Sequence, residues 1–381
     1  MRRVCVITGT RAEYGILRTV MRKIESSPSL SLQTLVTGMH LSPQYGSTVR
    51  EIEKDGFGID AEVPMLLDSD STWDPARSVG IGILGMTQAF EMLESDIVLV
   101  LGDRIEAFSA ATAASLSNLL LCHIHGGDKS MGGLDEAMRH AITKLAHVHF
   151  AASSVSAQRI LKMGETPDRV FLVGAPGLDE IAEIQLMAEE EVANMLNLDL
   201  TKPIVTVLQH PISTEPGDAQ RQFRETLEAV RALDVQVVVV CPNSDPGSHS
   251  MFDLLEEYRA TDFRVVKNLP RHEYLSLLKT SSALVGNSSS GIIEAPFLGT
   301  PVINIGTRQE GREQPVTVLQ ADHDRADIAR KLSLAINDEQ VKASLKQVRH
   351  VYGDGTAGQR IAEILETIPL TGSFKQKTIA Y

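Results

Sequence analysis

Short runs of β-branched residues alternate with longer amphipathic stretches along almost the whole chain, and this rhythm limits the folds open to it. In the first half the runs cover residues 4–8, 32–37, 97–101, 119–124, 148–151 and 170–173. After Pro203 a second series covers 204–208, 235–241, 263–266, 283–285 and 302–305. Most are continuously apolar rather than alternating, which marks strands buried on both faces. Such strands belong to parallel sheets with helices on each side. The rhythm breaks near Gly174-Ala175-Pro176-Gly177, and a polar segment with Glu189, Glu190 and Glu191 precedes the second series. An α/β protein of two domains follows, with a boundary near Gly177; a length of 381 residues suits two cores better than one.

A formal net charge of −13 argues against nucleic acid or an anionic membrane surface as partner. An anionic ligand must be met by local cations instead. Cys5, Cys122 and Cys241 lie inside apolar runs without metal-type spacing, as reduced, buried thiols of a cytoplasmic protein would. Arg11 and Glu13 interrupt the apolar N-terminus before a signal-peptide core could form. The longest apolar runs are far too short to span a bilayer.

Two turns of small residues follow strands and open helices: Gly9-Thr10-Arg11-Ala12-Glu13-Tyr14-Gly15 and Gly286-Asn287-Ser288-Ser289-Ser290-Gly291. Small residues let backbone N–H groups approach a phosphate, and a helix N-terminus favours negative charge there. One turn per half points to a phosphorylated ligand in a cleft between the domains. Glu294, in the first turns of the second helix, is placed for ribose hydroxyls, and Arg308 and Arg312 after the next strand add positive charge. Gly80-Ile81-Gly82-Ile83-Leu84-Gly85 matches a dinucleotide fingerprint in letters only. No strand precedes it, so close helix packing is the better account.

Other polar groups cluster where strands end, the ligand edge of a parallel sheet. Asp103 and Arg104 follow one strand, as an acid/base and phosphate pair or as a helix cap beside a solvated arginine. The next ends in His123-Ile124-His125-Gly126-Gly127-Asp128. By strict alternation His123 and His125 share a face, as two metal ligands with Asp128 for a third, or as proton-transfer groups. Residues 134–147 form a helix whose expected buried stripe is Leu134, Ala137, Met138, Ala141, Ile142 and Leu145. Asp135, Arg139 and His140 fall off it, with Asp135 and Arg139 as a surface i,i+4 pair. Gln209-His210-Pro211 leaves His210 at the end of the second half's first strand.

Taken in order, Gly9-Thr10-Arg11-Ala12-Glu13-Tyr14, Gly38-Met39-His40-Leu41-Ser42, Gly102-Asp103-Arg104, Arg139-His140-Ala141-Ile142-Thr143-Lys144, Gln209-His210-Pro211, Gly286-Asn287-Ser288-Ser289 and Gly306-Thr307-Arg308-Gln309 resemble the UDP-N-acetylglucosamine 2-epimerase family, in its hydrolysing, sialic-acid-pathway branch. The resemblance covers essentially the whole chain. It implies two Rossmann-like, doubly wound domains of the glycosyltransferase-B type, with the ligand in the interdomain cleft. The first would span residues 1–177 plus a crossover helix at about 357–381, the second 178–356. The implied reaction converts UDP-N-acetylglucosamine and water to N-acetylmannosamine and UDP by elimination and hydration, without metal or cofactor. The implied assembly is a homodimer or homotetramer.

Carried over by position, the resemblance puts proton transfer on Asp103, Asp135, Glu136 and His210. Nucleotide and substrate contacts fall on Arg11, Ala12, Arg104, Arg139, Asn243, Ser288, Ser289, Glu294 and Arg308. Many relatives carry a glutamate where this chain has His125, so the role passes here to His125 or Asp128. That departure keeps a 2,4-diacetamido sugar nucleotide open as substrate. A non-hydrolysing epimerase, a glycosyltransferase on the same fold and a non-catalytic sensor are the competing readings.

Overall fold

The β-branched runs pair into two wholly parallel sheets. The computed structural model describes every residue except 44–45, 68–72, 130–134, 213–214, 243–246, 259–262, 268 and 346–349. Two compact units result: Met1–Ala182 with Tyr352–Tyr381, and Glu183–Val351. The first holds β1 (Arg2–Thr8), β2 (Leu30–Thr37), β3 (Ala61–Val63), β4 (Ile97–Leu101), β5 (Leu120–Ile124), β6 (Val148–Ala151) and β7 (Val170–Leu172), in the order β3-β2-β1-β4-β5-β6-β7. The second holds β8 (Ile204–Leu208), β9 (Gln236–Val240), β10 (Arg264–Val266), β11 (Ala283–Gly286), β12 (Val302–Ile305) and β13 (Val318–Ala321), in the order β10-β9-β8-β11-β12-β13. Both are doubly wound Rossmann-like sheets.

Two edge strands, β3 and β13, were not expected from sequence. Ala61-Glu62-Val63 and Val318-Leu319-Gln320-Ala321 each carry a polar residue on a half-exposed edge, so neither makes a continuous apolar run. The central strands do, and period-two alternation divides them between two cores. Val4, Val6, Ile97, Leu99 and Leu101 face one side of the first sheet. Cys5, Ile7, Val98 and Val100 face the other. Ile361 and Leu365 of the helix Ala357–Thr367 are fully buried in the first of these cores, each contributing about 1.5–3 kcal/mol. All three cysteines are buried outside any disulfide, and burial pushes the Cys5 thiol up to about 12.

The glycine cluster lies inside the helix Asp74–Leu93. A Cβ on Gly82 would come within 2.9 Å of the Ser109 side chain, and one on Gly85 within 2.6 Å of Val63. These two glycines let the helix sit close to its neighbours, while Gly80 faces open space. Further along, the chain end is pinned to the same unit. Lys377 Nζ donates to the Thr143 carbonyl (2.9 Å) and pairs with Glu165 (2.8 Å), and Ala380 N donates to the Gly164 carbonyl (3.0 Å). Burial alone would raise the Glu165 carboxyl, but hydrogen bonds from His149, Lys144 and Lys377 outweigh it and hold it down to about 2. Among the described residues no helix is long and apolar enough to cross a membrane.

Candidate active site

In the first sheet the strand order reverses between β1 and β4. The crevice outside the carboxyl ends at such a reversal is where α/β sheets hold ligands. After β1, Thr10 caps the helix Arg11–Ser26 by accepting from Glu13 N (3.3 Å). Gly9 N, one residue before the cap, donates to Glu13 Oε2 at 3.0 Å, which ties the first helical turn back to the strand end. Arg11 and Ala12 therefore sit on the first helical turn, both exposed; Arg11 pairs with Glu51 at 3.0 Å.

After β4 the chain turns at Gly102, with φ +73. Asp103 is not a helix cap: the N-cap of Ile105–Leu116 is Arg104, and it makes no side-chain cap bond. Asp103 instead pairs with Arg139, whose side chain is buried. Arg104 is gripped by Glu106 through Nε (3.2 Å) and Nη2 (3.4 Å). Glu106 is itself 1% exposed. It occupies space that two glycines leave open, since a Cβ on Gly9 would lie 2.7 Å from its Cγ and one on Gly38 2.5 Å from its Oε1. Burial, reinforced by the Glu106 charge and opposed by Arg104, pushes the Glu13 carboxyl up to about 7. Burial works against the Arg104 charge, but Glu106 and Glu13 more than offset it and raise its pKa.

The strand β5 stops at Ile124, and His125 adopts a left-handed backbone (φ +63), uncommon for a residue with a Cβ. Its Nδ1 donates to Asp128 Oδ2 at 2.8 Å, and Ser156 Oγ donates to Asp128 Oδ1 at 2.7 Å. His123 and His125 thus do not share a strand face. His123 points into the core, bonded through Nε2 to the Gly102 carbonyl (2.7 Å) and through Nδ1 to Thr143 (3.2 Å). With those nitrogens engaged, the three-ligand metal grouping does not form; among the described residues no group of three or more His, Cys, Asp or Glu is arranged for a metal.

The helix Asp135–Leu145 also differs from its expected stripe. Its buried residues are Arg139, Ile142 and Thr143, whereas Ala137 is exposed. Leu134 lies outside the described residues. Arg139 is drawn inward because Asp103 satisfies its charge, so it pairs across elements rather than with Asp135. Asp135 stays exposed, and Glu136 accepts from His140 Nε2 at 3.1 Å.

The second sheet reverses between β8 and β11. Here the hub is a fully buried amide, Asn287. Its side chain accepts from His210 N (2.7 Å) and donates to the His210 carbonyl (2.9 Å), while its own carbonyl takes Arg308 Nη1 (3.2 Å) and Gln309 Nε2 (2.9 Å). Gly286 makes this clasp possible: at φ +144, a Cβ would fall 2.0 Å from the Leu208 carbonyl. Ser288 is buried and accepts from Ser290 N at 3.3 Å. Ser289 is the N-cap of the helix Ser290–Phe297 and spends no side-chain bond on it. On that helix Glu294 pairs with Arg271 at 2.8 Å. Arg312 is half-buried in the turn after β12, and Asn243 lies outside the described residues.

Sequence reasoning passed over Glu106, Ser156 and the clasping role of Asn287. Glu106 had a signal: it is the one charged residue in an otherwise small and apolar helix.

Each sheet thus carries charged and hydrogen-bonding groups beside its own strand-order reversal, the edge at which α/β enzymes hold their ligands. The family model for UDP-N-acetylglucosamine 2-epimerase matches residues 22–366. The chain is 39% identical over the full length of both proteins to a Legionella pneumophila protein named UDP-N,N'-diacetylbacillosamine 2-epimerase (hydrolyzing). It is 33% identical to a Neisseria meningitidis UDP-N-acetylglucosamine 2-epimerase over 86% of each chain. The crystal structure of a Neisseria meningitidis UDP-GlcNAc 2-epimerase bound to UDP-GlcNAc shares the fold, with a TM-score of 0.81 at 18% identity, over 96% of this chain and 99% of that one. The chain belongs to the UDP-N-acetylglucosamine 2-epimerase family and is an enzyme.

Proposed function

We propose that this enzyme is a hydrolysing UDP-sugar 2-epimerase whose sugar is the 2,4-diacetamido one, UDP-N,N'-diacetylbacillosamine. The observation that carries the chemistry is the strained His125, locked onto Asp128 at the same sheet edge as the Asp103–Arg139 pair. Backbone strain of this kind concentrates at functional sites. The full-length Legionella relative supports the substrate, ahead of the UDP-N-acetylglucosamine first expected from sequence.

The reaction runs in two steps. A base takes the C2 proton, the C–H electron pair forms the C1=C2 double bond, and the C1–O bond breaks to release UDP. Water then adds its hydroxyl to C1, and a proton returns to C2 on the opposite face. Asp103 and the His125–Asp128 dyad are the two proton-transfer groups, with Asp135 and Glu136 at the adjoining helix start. Arg139 orients Asp103 by pairing with it. His210, Ser288, Ser289 and Arg308 serve the UDP end, and Glu294 its ribose. Arg104 and the Arg11-Ala12 turn offset the charge that develops as the diphosphate departs.

Incubation in D₂O with UDP-N,N'-diacetylbacillosamine, UDP-N-acetylglucosamine and the GDP form of the first, followed by NMR, tests the reading. Free UDP and a manno-configured 2,4-diacetamido sugar with deuterium at C2 are expected. An epimer still attached to UDP, or no product, overturns it. A second reading, UDP-N-acetylglucosamine as substrate, is favoured by the Neisseria relative and gives N-acetylmannosamine in the second tube.

A further inference from the structure

We propose that His123 and Thr143 form a positioning relay that sets Asp103 against Arg139; this rests on the proton-transfer role given to Asp103 above. The Gly102 carbonyl, on the residue before Asp103, accepts from His123 Nε2 at 2.7 Å. The Thr143 hydroxyl, one turn beyond Arg139 on the helix Asp135–Leu145, donates to Nδ1 at 3.2 Å. One imidazole therefore ties the turn that carries Asp103 to the helix that carries its partner.

The ring can do this only while neutral, since one nitrogen must donate and the other accept. His123 is fully buried, and burial lowers its pKa to about 3, so it stays neutral at any working pH. Thr143 is equally buried. The surroundings are shaped to the pair. A Cβ on Gly126 would lie 2.9 Å from His123 Nδ1 and 3.1 Å from the Thr143 hydroxyl, so the glycine leaves the bond its space. Neither residue touches the reacting atoms. Their effect is on the alignment of a carboxylate that must meet a C–H bond, and misplacement by about 1 Å can cost on the order of a hundredfold in rate.

The test is a double-mutant cycle on the full chain with its turned-over UDP-sugar. His123→Asn keeps a partner for Thr143 and cuts the link to Gly102, whereas Thr143→Val cuts the other link at nearly constant volume. Each single variant is expected to lower kcat by about 10- to 100-fold, with KM and UDP affinity unchanged. The double variant should lose no more than the worse single one, because either cut opens the same relay. Thr143→Ser should restore the rate. Full kcat in Thr143→Val, losses that multiply in the double variant, or a rise in KM alongside the fall in kcat overturns the relay. Should His123→Asn not fold, the Thr143→Val and Thr143→Ser pair decides alone. A wild-type chain inert toward every sugar nucleotide overturns the proposed function itself, which an active wild type with unaffected variants would not.

Discussion

At the carboxyl edge of the first sheet, titratable side chains, most of them buried or half-buried, are paired with one another: Asp103 with Arg139, Arg104 with Glu106, His125 with Asp128. At the matching edge of the second sheet the buried hub is a neutral amide, Asn287, which clasps the backbone of His210 and anchors Arg308. The topology is the same at both places, and the chemistry differs. Groups that exchange protons during a reaction need neighbours that hold their charge and direction. A surface that only binds needs fixed donors, and an amide bonded through both its oxygen and its nitrogen holds them without the penalty of burying a charge. On the proposed reading the first edge is the reacting one and the second is the nucleotide's.

The widest gap between the edges should open at Asp103. Asp103→Asn preserves shape but accepts no proton, so kcat should drop about 10²–10⁴-fold while UDP affinity in calorimetry stays at the wild-type value. A variant that keeps half the wild-type rate would leave Asp103 as a structural partner of Arg139 alone.

His125 comes next. His125→Gln should cost about 10²-fold in kcat, and His125→Glu should recover part of it by restoring a proton-transfer group. Wild-type turnover in the glutamine variant would assign the imidazole a packing role and move proton transfer to Asp128, Asp135 or Glu136.

On the other side of the comparison, Arg308→Ala should weaken UDP binding and spare the chemistry of bound substrate. Losing a charge-assisted phosphate contact costs roughly 1.5–3 kcal/mol, or about tenfold to a hundredfold in Kd. Unchanged UDP affinity, or a lower kcat at saturating substrate, would erase the division of labour.

The smallest effect concerns Glu13, half-buried near Glu106. Its carboxyl is raised from about 4.5 to about 7 in the fold. The protonated form is therefore the one the folded state favours. Its contribution is whole below about 4.5 and is lost as pH rises through about 7. Glu13→Gln mimics the neutral form, so thermal stability of the variant relative to wild type should climb between pH 5 and 8, by on the order of 1–2 kcal/mol. A flat difference across that range would show that Glu13 is not raised.

The strand ends are the most legible part of the candidate site. Asp103, His125, His210 and Ser288 were picked out because polar residues following apolar runs in a parallel sheet must lie on its ligand edge. Helix Asp135–Leu145 was legible as a helix, and its stripe holds at Ile142 and Leu145 but not at Ala137, which is exposed, or at Arg139, which is buried. Its sequence pattern puts arginine outside, and no local rule anticipates a carboxylate from another strand waiting to receive it. The His123–His125 pair failed for a similar reason. Period two holds only while the strand continues, and the left-handed turn at His125 ends it.

What the sequence determined by itself was the alternation of buried strands and helices, hence two parallel sheets, and the chemistry available where those strands end. These follow from local periodicity and from the need to bury apolar faces. Tertiary structure alone decided the partners: Glu106 under Arg104, Arg139 on Asp103, Asn287 across to His210. Those choices join residues far apart in the chain, or turn on which buried charge finds an opposite charge within reach. Desolvation makes any other arrangement of such groups costly, and that constraint exists only once the chain has folded around them.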